Sequence, residues 1–451
     1  MAGESSQSTP DPADEPVEDH YAKARAFWQV GMFVSNLGSA MVTLTNAYLI
    51  FEQSRSVGVV ALIAVCWSAP PLLLPITATY LVNRFGGPRT FMVRYLSSAV
   101  LALIPIALAI TGNLTTVALL VWCLVMSTSS GLFSPSATVV KRMLAPGSLS
   151  PDFNAVATRN AALASVLGIL VGGAILATLG PVWIYSFNAL SYIPVAFTAI
   201  PLLGNAVSSE VARQPFLRAF PILFGPHGRR DLHAACLFTA MGILISGYTV
   251  TLPAIAHSVG RSPGYLALLQ VSAVLGGLFT ATAIRYLRGK VRWGHTQRAC
   301  LATMGICVLA LGWASHLDGT PALTLALCAV VIAPIGLVFN LDQALLNALV
   351  QLFTPEDSQG VIFTYYALIP LVMGPIGQGI IGVLADSTSV STALTALGVF
   401  TMALVMIGPH LKMRAAFDTM GTSFDTMTAG ESRAVQRRRG GTAGRASGQA
   451  R

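Results

Sequence analysis

The sequence predicts an all-α membrane protein in which twelve transmembrane helices form two six-helix bundles related by pseudo-two-fold symmetry. Hydrophobic residues make up 54% of the 451 residues and charged residues only 10%, a composition that is wrong for a soluble protein. Apolar windows of about 20 residues, enough to cross a bilayer as a helix, recur along the chain. One long polar stretch, 204–231, interrupts them and leaves six such segments on each side. Lipid is therefore the expected solvent for most of the chain.

Twelve apolar segments follow one another, and each is predicted to be one transmembrane helix. Their bounds are 26–51, 57–82, 90–111, 115–144, 153–179, 182–203, 232–256, 262–287, 295–316, 321–352, 358–385 and 388–411. The predicted domains are a bundle at 26–203, a central cytoplasmic loop at 204–231 and a second bundle at 232–411. The polar ends, 1–25 and the basic tail 412–451, are predicted to be disordered and cytoplasmic.

Prolines inside the segments predict bends, because neighbouring helices can satisfy the backbone groups that a proline frees. These prolines are Pro70, Pro71, Pro105, Pro135, Pro334, Pro370 and Pro375.

The net charge of +9 does not indicate a nucleic-acid partner, because the basic residues are distributed as in a membrane protein. If the first segment enters from the cytoplasm, all 27 lysines and arginines except Arg55 and Arg261 fall on the cytoplasmic side. This asymmetry follows the positive-inside rule. We therefore expect a multi-pass protein of the cytoplasmic membrane, embedded in the lipid bilayer, with both termini in the cytoplasm.

Motifs for catalysis are missing from the sequence. The six cysteines lie in apolar segments without a CxxC pair, which argues against zinc sites and a disulfide framework. The chain has no phosphate-binding loop of an ATP-driven pump, no HExxH motif and no nucleophile elbow. We expect no enzyme activity, no metal site and no cofactor.

An internal repeat relates the two predicted bundles. Arg55-Ser56-Val57-Gly58, between segments 1 and 2, recurs as Arg261-Ser262-Pro263-Gly264 between segments 7 and 8, at an offset of 206 residues. Such repeats are characteristic of secondary transporters, whose substrate site lies near the midplane between the repeats.

Polar stripes within the segments indicate where a solute path would run. Asn36, Ser39, Thr43 and Asn46 are spaced 3, 4 and 3, which places them on one helical face. Segment 7 carries Thr239, Ser246 and Thr249 in a similar alignment, and segment 4 carries Ser127, Thr128, Ser130 and Ser134. Hydrogen bonding between helices is the alternative explanation for these stripes.

Asp342 is the one acidic residue placed well inside a predicted segment. A charge at the bilayer centre costs about 2.5–3.5 kcal/mol on insertion scales, so this carboxylate needs a partner, water or a proton. Counting from Pro321 places it in the cytoplasmic part of segment 10, where a water-exposed helix end is the alternative. The polar residues of the same segment, Asn340, Gln343, Asn347 and Gln351, lie nearly opposite to it.

Several motifs together resemble the major facilitator superfamily, and within it the branch of drug and siderophore exporters that includes enterobactin exporters. The resemblance covers nearly all of 25–411. Its most specific residues are Phe27, Trp28, Gly31, Ser35, Gly38, Gly168, Gly172, Gly173, Leu179-Gly180-Pro181, Asn188-Ala189-Leu190-Ser191-Tyr192, Leu252-Pro253, Gln359-Gly360, Pro375, Gly377, Gly382, Ala385 and Asp386.

This resemblance implies a proton-coupled secondary transporter, acting as a monomer, that exports an amphipathic or hydrophobic small molecule by alternating access. Segments 1, 4, 7 and 10 would surround a central cavity. The residues expected to bind substrate there are Asn36, Thr43, Trp122, Ser130, Thr239, Thr249, Tyr365, Tyr366 and Gln378. The alternatives are a siderophore exporter, a solute uptake carrier, and a membrane sensor or assembly protein that keeps the fold without transport.

Two departures from the family pattern bear on the expected charge latch and on the expected direction of transport. The loop between segments 2 and 3 keeps Arg84 and Gly86, but Asn83 stands where the family has an acid, so Arg84 is either part of a charge latch or only a basic anchor of the topology. In segment 5, Gly168 is followed by Ile169 instead of the usual proline. Ordinary close packing of helices would also explain the glycines of this segment.

Arg159 and Asp342 are the candidate gate. In this superfamily, segments 4 and 5 close against segments 10 and 11 when the cavity opens outward, so the two charges would meet across the halves. A pair that forms in only one state biases the equilibrium by its differential energy. The competing interpretation is that Arg159 extends towards the lipid headgroups.

Overall fold

The protein is all-helical in a computed structural model that describes residues 21–146, 149–203, 230–287, 293–315, 320–353 and 356–407. Within these ranges, the side chains of 151, 230–235, 238, 293–294, 348–353, 356–367 and 407 are not described. Numbered in chain order, the helices are α1 (Ala22–Ser54), α2 (Val57–Leu73), α3 (Pro75–Phe85), α4 (Gly87–Leu101), α5 (Leu103–Ile110), α6 (Thr116–Leu132), α7 (Ser134–Leu144), α8 (Ser150–Thr178), α9 (Pro181–Phe197), α10 (Arg230–Leu244), α11 (Leu252–Val259), α12 (Pro263–Leu278), α13 (Thr280–Leu287), α14 (Trp293–Ala314), α15 (Pro321–Phe353), α16 (Glu356–Ser387) and α17 (Val390–Ile407).

The described residues contain no β-strand, which confirms the predicted all-α class. Eight helical stretches are long and apolar enough to cross a membrane, and the number rises to ten if each of two bent helix pairs forms one span. Twelve crossings remain a prediction. Most of the predicted central loop and both predicted tails lie outside the described residues.

The first helix begins earlier than the sequence predicted. α1 starts at Ala22 instead of residue 26, within the stretch expected to be disordered. Arg25 donates a hydrogen bond from Nη1 to the carbonyl oxygen of Leu144, 3.1 Å away at the end of α7. The extra turn is thus held by a contact with a distant helix, which the local composition does not reveal.

Two of the predicted spans are sharply bent. The chain bends by 58° between α2 and α3. It bends by 45° between α6 and α7, just before Pro135, where a bend was predicted. In segment 2 the break falls at Pro75, while Pro70 and Pro71 lie inside α2. Pro334 lies within the uninterrupted helix α15.

The internal repeat extends well beyond the turn in which it was found. The starts of α2 and α12, at Val57 and Pro263, are 206 residues apart. The same offset separates the starts of α4 and α14, and those of α8 and α16. Three pairs of corresponding helices therefore begin at equivalent positions of the two halves.

Glycines set the distance between helices in the first half. A Cβ atom on Gly168 would lie 2.4 Å from the carbonyl oxygen of Leu37, and one on Gly172 would lie 3.0 Å from the Cα atom of Met41. Both contacts join α8 to α1, so these positions leave no room for a side chain. The predicted role of the glycines in close helix packing is confirmed.

Among the described residues, the two halves contact each other most extensively along two helix crossings, α2 with α16 and α8 with α12. At one end of the first crossing, Asp386 accepts hydrogen bonds from the backbone N–H groups of Val57, at 2.7 Å, and Gly58, at 3.0 Å. The Ser56 hydroxyl donates a third hydrogen bond to the same carboxylate. We call residues 52–58, 257–261 and Asp386 the latch.

Other polar contacts of the latch also cross between the halves. The Tyr48 hydroxyl donates to the carbonyl oxygen of Arg261, at 2.9 Å, and Nδ1 of His257 lies 3.2 Å from a carboxylate oxygen of Glu52. Arg55 contacts both Glu52 and His257. The repeated turns 55–58 and 261–264 therefore lie at the same end of the molecule, where the halves are joined.

Candidate functional site

A cavity of about 490 Å³ lies among the helices of the first half. Its polar lining consists of Ser35, Asn36, Ser39, Thr43, Asn46, Arg94, Ser98 and Ser130, and the rest of its lining consists of Met32, Ile63, Trp67, Tyr95, Met126 and Tyr192. A mainly apolar and aromatic surface with a few polar groups is typical of sites for small organic molecules.

The polar stripe of α1 lines this cavity. All four of its members, Asn36, Ser39, Thr43 and Asn46, contribute to the wall. Asn46 also accepts a hydrogen bond from the Tyr185 hydroxyl at 2.7 Å, and Thr43 bonds back to the carbonyl oxygen of Ser39. The prediction that these residues share one face is confirmed. The same face lines the cavity and also forms a hydrogen bond to a neighbouring helix.

Arg94 is a cavity residue that the sequence reasoning missed. It had been counted with the basic residues that fix the topology, yet it lies inside α4 and lines the cavity. Its Nη2 atom lies 3.4 Å from the Ser130 hydroxyl, and its guanidinium lies 5.5 Å from the ring centre of Tyr95. Its place four residues inside the predicted segment 90–111 was the signal that could have identified it.

Asp342 lies in a different polar cluster, within the second half. Its carboxylate is 5% exposed and accepts hydrogen bonds from Thr239 of α10 and Gln297 of α14. The amide of Gln297 also donates to the Thr239 hydroxyl, at 3.0 Å. Thr239 was expected to bind substrate, but here it is fully buried and holds the carboxylate in place.

Thr249 and Gln378 form a second polar pair of this half. The Gln378 amide lies 3.4 Å from the Thr249 hydroxyl, which itself donates to the carbonyl oxygen of Ser246. Neither residue lines the cavity of the first half. They connect the 3-10 helix Ile245–Thr251 to α16.

Of the aromatic residues expected at the site, Trp122 lies in the packed interior of the first half. It is 2% exposed, its indole donates to the carbonyl oxygen of Leu101 at 2.8 Å, and its ring packs edge-on against Tyr185. Tyr365 and Tyr366 lie on α16, but their side chains fall outside the described part of the structure. Tyr95 and Tyr192 contribute aromatic surface to the cavity of the first half.

The candidate gating arginines are both exposed. Arg84 lies in the last turn of α3, where it donates to the Tyr80 hydroxyl at 2.6 Å. Arg159 lies on an exposed position of α8, while Asp342 is buried with Thr239 and Gln297. The structure therefore does not bring Arg159 and Asp342 together in this state.

Metal-binding clusters of His, Cys, Asp or Glu are not found in the described portion of the chain.

Known proteins with similar sequences are membrane transporters. Residues 21–443 match the transmembrane secretion effector family. The multidrug efflux pump Tap of Mycolicibacterium fortuitum is 22% identical over 402 residues, which cover 83% of this chain and 92% of that protein. The pump of the same name from Mycobacterium tuberculosis is 24% identical over 379 residues, covering 80% and 86%.

Solved structures share the fold. A bacterial homologue of the iron transporter ferroportin, in an inward-facing state, superimposes with a TM-score of 0.65 at 14% identity, covering 89% of this chain and 99% of that one. The nucleoside transporter NupG gives a TM-score of 0.62 at 13% identity, covering 88% and 98%. This chain is a membrane transporter and belongs to the transmembrane secretion effector family of the major facilitator superfamily.

Proposed function

We propose that this protein exports an amphipathic or hydrophobic small molecule across the cytoplasmic membrane, driven by protons and working by alternating access as a monomer. The observation that carries the proposal is the cavity of α1, α2, α4, α6 and α9, which combines polar and aromatic side chains inside a membrane bundle. The similarity to multidrug efflux pumps supports export of drug-like compounds.

The latch supports an assignment of the state. If the termini are cytoplasmic, α1 runs outward and ends at Ser54, so the latch lies at the outer face of the membrane. Contacts across the halves at that end would separate the cavity from the outside. The structure then corresponds to a state that can receive substrate from the cytoplasm, with release requiring the latch to open.

Asp342 is the proposed proton site. A carboxylate buried in a membrane bundle is stable when it is protonated or well hydrogen-bonded. Its two described hydrogen-bond partners, Thr239 and Gln297, are neutral side chains on two other helices, α10 and α14. Gain or loss of one proton would therefore change how α15 is held against them. The Arg159–Asp342 pair remains a proposal for the opposite, outward-open state.

The test uses everted membrane vesicles that contain the full chain and an imposed proton gradient, with ethidium as the transported dye. The wild type should accumulate ethidium, and a protonophore should abolish the accumulation. Asp342→Asn, which keeps the size and one oxygen acceptor, should reduce gradient-driven accumulation about tenfold or more while leaving dye exchange between equal concentrations intact. Exchange needs the substrate path but no net proton movement.

Asp152→Asn is the matched control, because Asp152 is an exposed acid in the first turn of α8. It should behave as the wild type. Full gradient-driven accumulation by the Asp342→Asn variant would remove Asp342 from coupling. Absence of protein-dependent accumulation for ethidium and for a panel of other amphipathic dyes would contradict export itself.

A further inference from the structure

Arg94 introduces a positive charge into the cavity. The cavity lining, as far as the structure describes it, contains no Asp or Glu. The described contacts of the guanidinium are to the Ser130 hydroxyl, at 3.4 Å, and to the ring of Tyr95. A guanidinium offers five N–H donors, so these contacts leave most of its hydrogen-bonding capacity for another group.

The guanidinium lies deep in the bundle. Ser130, which it contacts, is midway along the bent span formed by Thr116–Leu132 and Ser134–Leu144. Arg94 itself is seven residues after the start of α4 at Gly87, about 10 Å along the helix. Ionisable side chains at such depths are rare, and they usually mark a binding site or a transport path.

Aromatic side chains line the same cavity as this charge. Trp67, Tyr95 and Tyr192 line the same cavity, on α2, α4 and α9. A flat apolar body could pack against these rings while an acidic group of the same molecule meets the guanidinium. Arginine pairs with carboxylate or other oxyanions through two parallel N–H donors, which gives both strength and orientation.

We propose that Arg94 forms an anion subsite in the cavity and that the transported molecules include amphipathic compounds with an aromatic body and one carboxylate or comparable oxyanion. This inference rests on the proposed function, since it names a substrate class for the same cavity. The inference adds one requirement to that function: the cavity must recognise a negative charge on the substrate. A site for neutral or cationic amphiphiles would not need to do so.

The two halves differ at this position. The repeat offset of 206 residues relates Arg94 to Cys300 of α14, a buried thiol whose electrostatic neighbour is Asp342. The first half thus places a cation against the cavity, whereas the second half buries an acidic residue that is hydrogen-bonded to Thr239 and Gln297. The proposed anion subsite lies in the first half.

The experiment compares 1-pyrenebutyrate with its neutral amide, two probes of the same shape that differ in charge. Binding to the purified full chain is measured by pyrene fluorescence anisotropy without any ion gradient, so that it is independent of transport. The wild type should bind the carboxylate about tenfold more tightly than the amide. Arg94→Gln should weaken carboxylate binding about tenfold and leave amide binding unchanged, while Arg94→Lys should keep part of the preference.

Arg89→Gln is the matched control, because Arg89 is an exposed arginine on the same helix. It should leave both affinities unchanged. Equal affinity of the wild type for the two probes would overturn the proposal, as would an Arg94→Gln variant that binds the amide normally and keeps the preference for the carboxylate. Loss of ethidium export with an intact carboxylate preference would contradict the proposed function and leave the subsite standing.

An anionic lipid headgroup offers the same oxyanion chemistry as the proposed substrate. The binding measurement is therefore repeated in nanodiscs of phosphatidylcholine alone and of phosphatidylcholine with phosphatidylglycerol. Similar affinities for pyrenebutyrate in both support a substrate subsite. Displacement of the probe by phosphatidylglycerol would assign Arg94 to lipid and overturn its role towards substrate.

Discussion

The two crossings that join the halves are equivalent in the repeat but are held together differently. At the α2–α16 crossing, Asp386 accepts hydrogen bonds from the first backbone N–H groups of α2 and from Ser56. Small residues pack at both crossings, Gly382 against Gly58 at α2–α16 and Gly173 against Ala267 at α8–α12. At α8–α12, however, the offset of 206 residues places Gly180 where Asp386 stands, so the carboxylate contact has no counterpart at that position.

This difference has a mechanical meaning. A carboxylate at a helix N-terminus binds through exposed groups that water can replace, so the contact can separate and re-form at small cost. Small residues packed against one another allow two helix backbones to approach closely, and this close approach is lost when one of the residues is replaced by a larger one. We therefore infer that the α2–α16 crossing opens during transport, while the α8–α12 crossing keeps the halves in register.

The largest effect on the α2–α16 crossing is expected from Gly382→Ala in α16. A Cβ atom at this position would lie 2.7 Å from the Cα atom of Gly58, which is backbone and cannot rotate away. Overpacking of this kind costs about 1–3 kcal/mol, so we expect the closed latch to lose population and ethidium export to fall about tenfold. Spin labels on the exposed residues Asn113 and Ser258, in a cysteine-free background, should report longer distances.

Gly379→Ala is the control for this variant, because a Cβ atom on Gly379 meets nothing within 4 Å. It should export ethidium at the wild-type rate. A Gly382→Ala variant with wild-type export and unchanged label distances would show that the two helices do not approach this closely during the cycle.

A smaller effect is expected from Gly173→Ala at the other crossing. The new Cβ atom would lie 2.7 Å from the Cβ atom of Ala267, with its next nearest contact at 3.5 Å, whereas a Cβ atom on Gly382 would meet two further atoms at 3.2 Å. We therefore expect a cost at the lower end of the range for overpacking. We expect export to fall about fivefold. Ala267→Gly in the same chain removes the methyl group and should restore most of the rate. A double variant no better than Gly173→Ala would exclude this contact as the cause.

The smallest effect is expected from Asp386→Asn. The amide oxygen can still accept one of the backbone hydrogen bonds, but the negative charge at the start of α2 is lost. Such a charge is worth about 0.3–1 kcal/mol at an exposed helix N-terminus, so we expect a two- to fivefold change in export. The measurement is repeated at high salt, where wild type and variant should converge. A difference that is independent of salt would contradict the electrostatic explanation.

The sequence alone determined the framework of the protein. Segment length, charge asymmetry and the repeated turn predicted a helical membrane protein whose halves correspond, and the 3, 4, 3 spacing from Asn36 to Asn46 identified the face that lines the cavity. These features are local, because the periodicity of one helix defines its own faces and the length of an apolar segment sets its capacity to span.

Only the tertiary structure decided what each face meets. Arg94 was counted with the basic residues that fix the topology and Asp342 was placed well inside its predicted segment, yet Arg94 lines the cavity and Asp342 is buried with Thr239 and Gln297. Trp122 looked like a cavity residue and packs inside the first half instead. The spacing along a helix gives the angle of a side chain about its own axis, but the neighbours at that angle depend on how all the other helices pack.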